Sequence, residues 1–162
     1  MHAEWLRSPE PTRQDFTSLQ SLTTVSLLAD DALLGCIGPD SAKFLQGQLT
    51  CNLQEITTTQ AVTGAHCTPK GRMVTNFLLA QTGESEYLFR IHNETLAALQ
   101  KSLQKYIVFS KAKLREASEE YLLLGIQGPT AESTIAKLFG SAPQTIYAMQ
   151  SHQNGFVIRV TQ

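Results

Sequence analysis

Leu33–Leu45 reads LLGCIGPDSAKFL, and Leu123–Ile135 reads LLGIQGPTAESTI. Each passes from an apolar run through a Gly-Pro step into a segment with helical spacing. Proline has no N–H to continue a strand ladder and fixes φ near −65°, so the apolar run ends there. In the first copy Ala42, Phe44, Leu45 and Leu49 can share one helical face. Pro39 then falls near the first helical position, and Asp40 and Ser41 offer side-chain acceptors to the free backbone donors. Two strand–Gly-Pro–helix units set among hairpins predict an α+β fold, with antiparallel sheets and ferredoxin-like, split βαβ pieces. A doubly wound parallel sheet fits less well, because the helices are too few for the strands.

The chain on either side fills in this plan. Residues 1–20 are polar, contain Pro9 and Pro11, and read as a tail. The stretch TTVSLLADDALLGCIGP (23–39) holds two apolar runs separated by Asp30-Asp31, a hairpin signal. TTQAVTGAHC (58–67) and RMVTNFLLAQ (72–81) read as strands across the Pro69-Lys70-Gly71 turn, and EYLFRIHN (86–93) as a third. A helix is predicted from about Glu94 to Tyr106, with Leu96, Leu99 and Leu103 on one face and lysines toward its C-terminal end. YLLLGIQGP (121–129) reads as a buried strand, TAESTIAKLF (130–139) as a helix stopped by Gly140, and TIYAM (145–149) and GFVIRV (155–160) as strands.

Composition narrows the class. Of 162 residues, 42% are hydrophobic, and 13 basic against 14 acidic residues leave a formal charge of −1. That is one ordinary globular domain's worth of core, with no global electrostatic case for nucleic acid. The local basic run Lys101, Lys105, Lys111, Lys113 and Arg115 reads as a solvated helix end and strand, so direct nucleic-acid binding is not expected. Cys36, Cys51 and Cys67 are an odd number without CxxC spacing, which fits a reducing compartment. No apolar run approaches the ~20 residues of a membrane span, and no signal peptide is evident. A cytoplasmic location is the expectation.

The chemistry-bearing cluster is AHCTPKGRMVTNF (Ala65–Phe77). His66 and Cys67 are adjacent, so a regular strand points them to opposite faces and they cannot share a metal ion. Cys67 lies near Lys70 and Arg72, and nearby cations lower a thiol pKa, but no histidine is placed as its base. TPKGR feeds a strand rather than a helix, so it is no phosphate loop, although Lys70 and Arg72 could meet a carboxylate at a pocket rim. From the residues themselves no catalytic or metal-binding group emerges; what remains is a pocket near 65–77.

Three stretches, IGPDSAKFLQGQLTCNL (37–53), AHCTPKGRMVTNFLL (65–79) and LQKYIVFSKAKL (103–114), in this order and spacing, resemble the YgfZ-type folate-binding proteins. Those are relatives of the glycine-cleavage T-protein, an aminomethyltransferase. The resemblance runs from about residue 22 to the end. It implies a T-protein-like folate-binding N-terminal region, with tetrahydrofolate or a one-carbon derivative as ligand. It also implies a role beside iron–sulfur enzymes or their assembly factors and, through such an enzyme, in tRNA modification.

The same resemblance makes the 65–77 hairpin a wall of the folate pocket, with Lys70, Gly71 and Arg72 shaping its turn. Thr75 and Asn76 stand where the T-protein carries an acidic pair. An amide cannot replace a carboxylate base, which argues against the rival reading, an aminomethyltransferase of glycine cleavage. Asp31 falls where YgfZ-type proteins can place a tryptophan, and the family's later Lys-Gly-Cys-x-x-Gly-Gln-Glu signature has no counterpart. Residues 21–162 are therefore expected to be the N-terminal α+β part of a longer fold, with the folate pocket incomplete. A third reading is a ligand-free protein-interaction module.

Overall fold

The computed structural model describes residues 21–153 and 155–161, so the polar stretch 1–20 lies outside the described residues. The strands are β1 (Thr24–Leu27), β2 (Asp31–Ile37), β3 (Val62–Cys67), β4 (Met73–Gly83), β5 (Glu86–His92), β6 (Lys113–Glu116), β7 (Leu124–Gln127), β8 (Met149–His152) and β9 (Gly155–Ile158). Among the described residues the helices are α1 (Ser41–Gln46), α2 (Asn93–Ile107) and α3 (Ala131–Phe139), with one 3-10 turn at Leu53–Glu55. The described residues divide into a larger unit, 28–123 with the described part of 143–161, and a smaller one, 21–27 with 124–142.

The larger unit is built on a five-stranded antiparallel sheet in the order β3-β4-β5-β2-β6. Register decides which side chains face which way. Leu34 opposes Phe89, and Leu79 opposes Phe89 from the other side. Ala32, Leu34, Cys36, Phe77, Leu79, Phe89 and Ile91 therefore share one face. Helix α2 closes that face with Leu99, Leu103 and Ile107, spaced by four and buried. Phe77 and Phe89 meet edge-to-face, with ring centroids 5.0 Å apart.

The opposite face carries Leu33, Leu88, Leu78 and Ala80. The β8–β9 hairpin covers part of it: Met149 joins Ala61 and Ala80, while Phe156 packs against this cluster and against Leu33, Leu88 and Ala117. Backbone bonds hold this end of the chain in place, from Met149 N–H to Thr59 O and from Ala61 N–H to Tyr147 O, both 2.8 Å. With both faces covered, β2 reads as a near-continuous apolar run instead of alternating.

The smaller unit, taken by itself, pairs β1 antiparallel to β7 and adds α3. It repeats the geometry of the first Gly-Pro step. Gly38 has φ +132°, and a Cβ there would lie 2.3 Å from Lys111 O. Gly128 has φ +120°, and a Cβ there would lie 2.3 Å from Leu22 O. In both places only glycine lets the neighbouring backbone pass. Next to each, a side chain ties the same crossing: Asp40 Oδ2 accepts from Lys111 N–H at 2.7 Å, and Thr23 Oγ1 accepts from Thr130 N–H at 2.9 Å.

Four local expectations are corrected. The apolar runs flanking Asp30-Asp31 do not form a hairpin with each other: β1 pairs β7, while β2 pairs β5 and β6. Asp40 makes no side-chain cap to α1, because its carboxylate is bound to Lys111. β7 is not buried; Leu124 is 52% exposed, since β1 is its sole strand partner among the described residues. Within TIYAM only Met149 is in a strand, because Thr145–Ala148 forms a turn closed by Ala148 N–H to Thr145 O at 3.0 Å.

Candidate functional site

The β3–β4 hairpin is closed by a turn that Thr68 organises. Thr68 N–H donates to Arg72 O, Gly71 N–H donates to Thr68 O, and Arg72 N–H donates to Thr68 Oγ1. Gly71 supplies the φ of +75° that the turn requires. Lys70 and Arg72 ride on this turn and are exposed, away from the strand faces.

His66 is 3% exposed and fully engaged. Its Nδ1 lies 2.8 Å from Gln48 O and its Nε2 lies 2.8 Å from Ser102 Oγ on α2. A carbonyl only accepts, so Nδ1 carries a proton and donates to Gln48 O, while Nε2 and the serine hydroxyl share the second bond. This histidine fastens the α1–β3 connection to α2. The register shifts between His66 and Cys67. Among the described residues no group of three His, Cys, Asp or Glu is placed to hold a metal. Burial raises the thiol pKa of Cys36 and of Cys51, which disfavours either as a nucleophile.

Thr75 and Asn76 part company. Thr75 is buried on the helix side, its Oγ1 2.8 Å from Thr95 Oγ1 of α2. Asn76, opposite Ala65, is exposed on the other face, in phase with Leu78 and Ala80. Asp31 shares Asn76's face: it is in phase with Leu33, which opposes Arg90, and Arg90 opposes Leu78. Of the residues singled out in the sequence, the structure brings Asn76 and Asp31 to one surface. It places Thr75 behind that surface and Lys70 and Arg72 beyond its end.

The open part of this surface has the half-buried Leu78 as its apolar floor, Leu33 being covered by Phe156, with polar groups at one end: Asn76, the exposed Thr63 opposite Leu78, and Asp31 paired with Arg90. Arg90 and Leu78 were not singled out by the sequence reading. The signal was present for Arg90, a cation inside the apolar run Tyr87–Ile91 and in phase with Leu88, but which residues it faces depends on register.

The strand carboxylates of this face are both held by arginines. Arg90 Nη2 lies 2.6 Å from Asp31 Oδ2. Arg115 Nη2 lies 2.7 Å from Glu86 Oε1, and the same guanidinium binds Glu120. These two carboxylates push the Arg115 pKa further above its usual range. Arg115 lies across Gly35, where a Cβ would come within 3.1 Å of its Cγ. An Asn amide, a guanidinium and an apolar floor can bind a flat polar heterocycle or a carboxylate; they do not provide a free base.

Comparison with known proteins bears on the family and the fold. The model of the GCVT N-terminal domain matches residues 32–157. The chain is 36% identical over 137 residues to the tRNA-modifying protein YgfZ of Photorhabdus laumondii, covering 85% of this chain and 41% of that protein. It is likewise 36% identical over 138 residues to the protein of that name from Klebsiella pneumoniae, covering 84% and 41%. The chain thus spans about two fifths of the length of the curated relatives it matches. The fold is that of the glycine cleavage system aminomethyltransferase T from Bartonella henselae, with a TM-score of 0.75 at 16% identity over 88% of this chain and 39% of that one. No described helix is long and apolar enough to cross a membrane. An all-antiparallel sheet backed by one long helix, matched by one family model over most of its length, assigns the chain to the GCVT N-terminal domain family.

Proposed function

We propose that this chain contributes the sheet wall of a tetrahydrofolate site in a YgfZ-type accessory protein. Such a protein supports iron–sulfur enzymes and, through one of them, tRNA modification. One observation carries the reading. Asn76 stands exposed on the face of the sheet away from α2, while both strand carboxylates of that face, Asp31 and Glu86, are bound by arginines. A surface of this kind binds a ligand without a general base to work on it. The relatives' name, tRNA-modifying protein, supports the same branch.

The residues fit a folate in kind. The Asn76 amide can donate and accept, matching the amide edge of a pterin. The half-buried Leu78 offers an apolar floor, and Arg90, held by Asp31 through Nε and Nη2, keeps Nη1 for a carboxylate tail. Lys70 and Arg72, on the turn, are placed to act only at the rim. A reduced folate supplies one-carbon chemistry when bound; the residues here bind and orient it.

The test is calorimetric titration of tetrahydrofolate into the full-length protein, beside an assay of glycine-dependent methylene transfer. Binding that weakens in Asn76→Ala, with no transfer activity, is the expected result. Transfer activity would assign the protein to the aminomethyltransferases. Absence of any binding would leave a ligand-free interaction module.

A further inference from the structure

The end of α2 and the loop after it form a surface that the folate reading does not use. Val108 is 67% exposed, Phe109 93% and Tyr106 45%. Lys101, Lys105, Lys111 and Lys113 surround them in sequence and are all exposed. From Lys101 to Lys113 there is no acidic residue. The carboxylate known to reach this segment is Asp40, which accepts from the backbone N–H of Lys111. Arg115, next along β6, is drawn away by Glu86 and Glu120.

Lys101, Lys105 and Val108 follow one helical stripe, since the cap residue Val108 still has helical φ and ψ of −57° and −21°. Phe109 comes directly after it. A nearly naked phenyl ring flanked by lysines has two natural complements, a base face and a run of phosphates. Stacking on an aromatic ring is tolerant of sequence, and lysine pairs with phosphate as a point charge. The formal charge of −1 argues against nucleic acid for the chain as a whole. It does not describe this segment, where four cations and an exposed aromatic are concentrated.

We propose that the Lys101–Lys113 segment is a contact site for single-stranded nucleic acid, with Phe109 as the stacking platform and Lys105 and Lys111 as phosphate contacts. The site is independent of the folate reading and stands if that reading fails.

The test is fluorescence anisotropy of labelled oligouridylate, about twelve nucleotides long, against the full-length protein over a salt series. Phe109→Leu keeps an apolar side chain and removes the ring; Phe109→Trp keeps a ring. The expected result is about tenfold weaker binding for Phe109→Leu and undiminished binding for Phe109→Trp. The double variant Lys105→Gln, Lys111→Gln should lower the slope of log affinity against log salt by about 1.4. Because these side chains are exposed, all variants should keep the native circular dichroism spectrum. Three outcomes overturn the proposal: no binding of the oligonucleotide at low salt, equal binding by Phe109→Leu and the native protein, or co-sedimentation with phosphatidylserine-containing vesicles in place of oligonucleotide binding.

Discussion

Arg90 reaches diagonally from β5 to Asp31 on β2, with its Nη2 and Nε 2.6 and 2.7 Å from the same carboxylate oxygen. Arg90 itself opposes Leu33, and Asp31 opposes His92, so the pair links two same-face rungs across the intervening Ala32–Ile91 rung. The side chains are 34% and 18% exposed. A part-exposed ion pair of this kind contributes about 0.5–1 kcal/mol. A double-mutant cycle of Arg90→Ala and Asp31→Ala, read by urea denaturation, should return a coupling in that range. In the proposed site Arg90→Ala should weaken tetrahydrofolate binding more than its stability cost explains. Equal affinity would remove Arg90 from the ligand.

Thr75 and Asn76 make a paired test, because one sheet separates their roles. Thr75→Val should cost about 1 kcal/mol through the lost contact with Thr95 and leave ligand affinity unchanged. Asn76→Ala should leave the unfolding midpoint in place and weaken tetrahydrofolate binding about fivefold to tenfold, one hydrogen bond's worth. The opposite pattern would mean that the ligand lies on the helix side. Lys70→Ala, on the exposed turn, should change affinity by less than about threefold.

The two Gly-Pro steps differ sharply from the hairpin turn in what an added methyl would meet. At Gly38 and Gly128 it would meet backbone 2.3 Å away, and at Gly71 nothing within 4 Å. Gly71→Ala should therefore cost only about 1 kcal/mol, the strain of its positive φ. Gly38→Ala adds a steric clash that cannot relax without moving Lys111 and parting β6 from β2, so it should cost about 3 kcal/mol or more. Thermal unfolding of the two variants ranks them directly.

Much of the fold could be read because side-chain period and glycine chemistry are local. The two Gly-Pro units, α2 with its Leu99–Leu103 spacing, and the β3–β4–β5 meander each follow from a short window of residues. What failed was non-local. Nothing near Asp30-Asp31 indicates that β1 leaves to pair with β7, and Asp40 looks like a cap until Lys111 arrives from far along the chain. The site divides the same way. Asn76 and Asp31 were legible as residues, but their common face, and the arginine that occupies Asp31, depend on the register of three strands.

Cys36 gives a prediction in pH. It is buried between the sheet and its helical cover, and burial raises its thiol pKa, with the nearby Ser41 hydroxyl opposing. The folded protein thus holds the proton longer than the unfolded chain, whose thiols ionise near about 8.5. The stability this contributes is full below that pH and is lost as pH rises through the folded value. Native protein at pH 8 should leave Cys36 unmodified by iodoacetamide while urea-unfolded protein reacts at once, as peptide mass mapping would show. Cys36→Ser should flatten the alkaline fall in stability and lower stability at neutral pH, because a hydroxyl takes the place of a small apolar group in the core.

Hydrogen exchange separates the two units by burial alone. In the larger unit Leu34, Leu79, Phe89, Leu99 and Leu103 are fully buried, and their amides belong to paired strands or to the body of α2. In the smaller unit α3 has no buried residue, and Val25, Leu27, Leu124 and Leu138 are all more than half exposed. Few buried contacts mean a low free energy of local opening. Amides of Leu124–Gln127 and Ala131–Phe139 should therefore exchange at least about a hundredfold faster than those of Leu34 and Phe89, a gap of about 2.7 kcal/mol in opening energy. Equal protection of α3 and α2 in the isolated 162-residue chain would show that something beyond these contacts holds the smaller unit together.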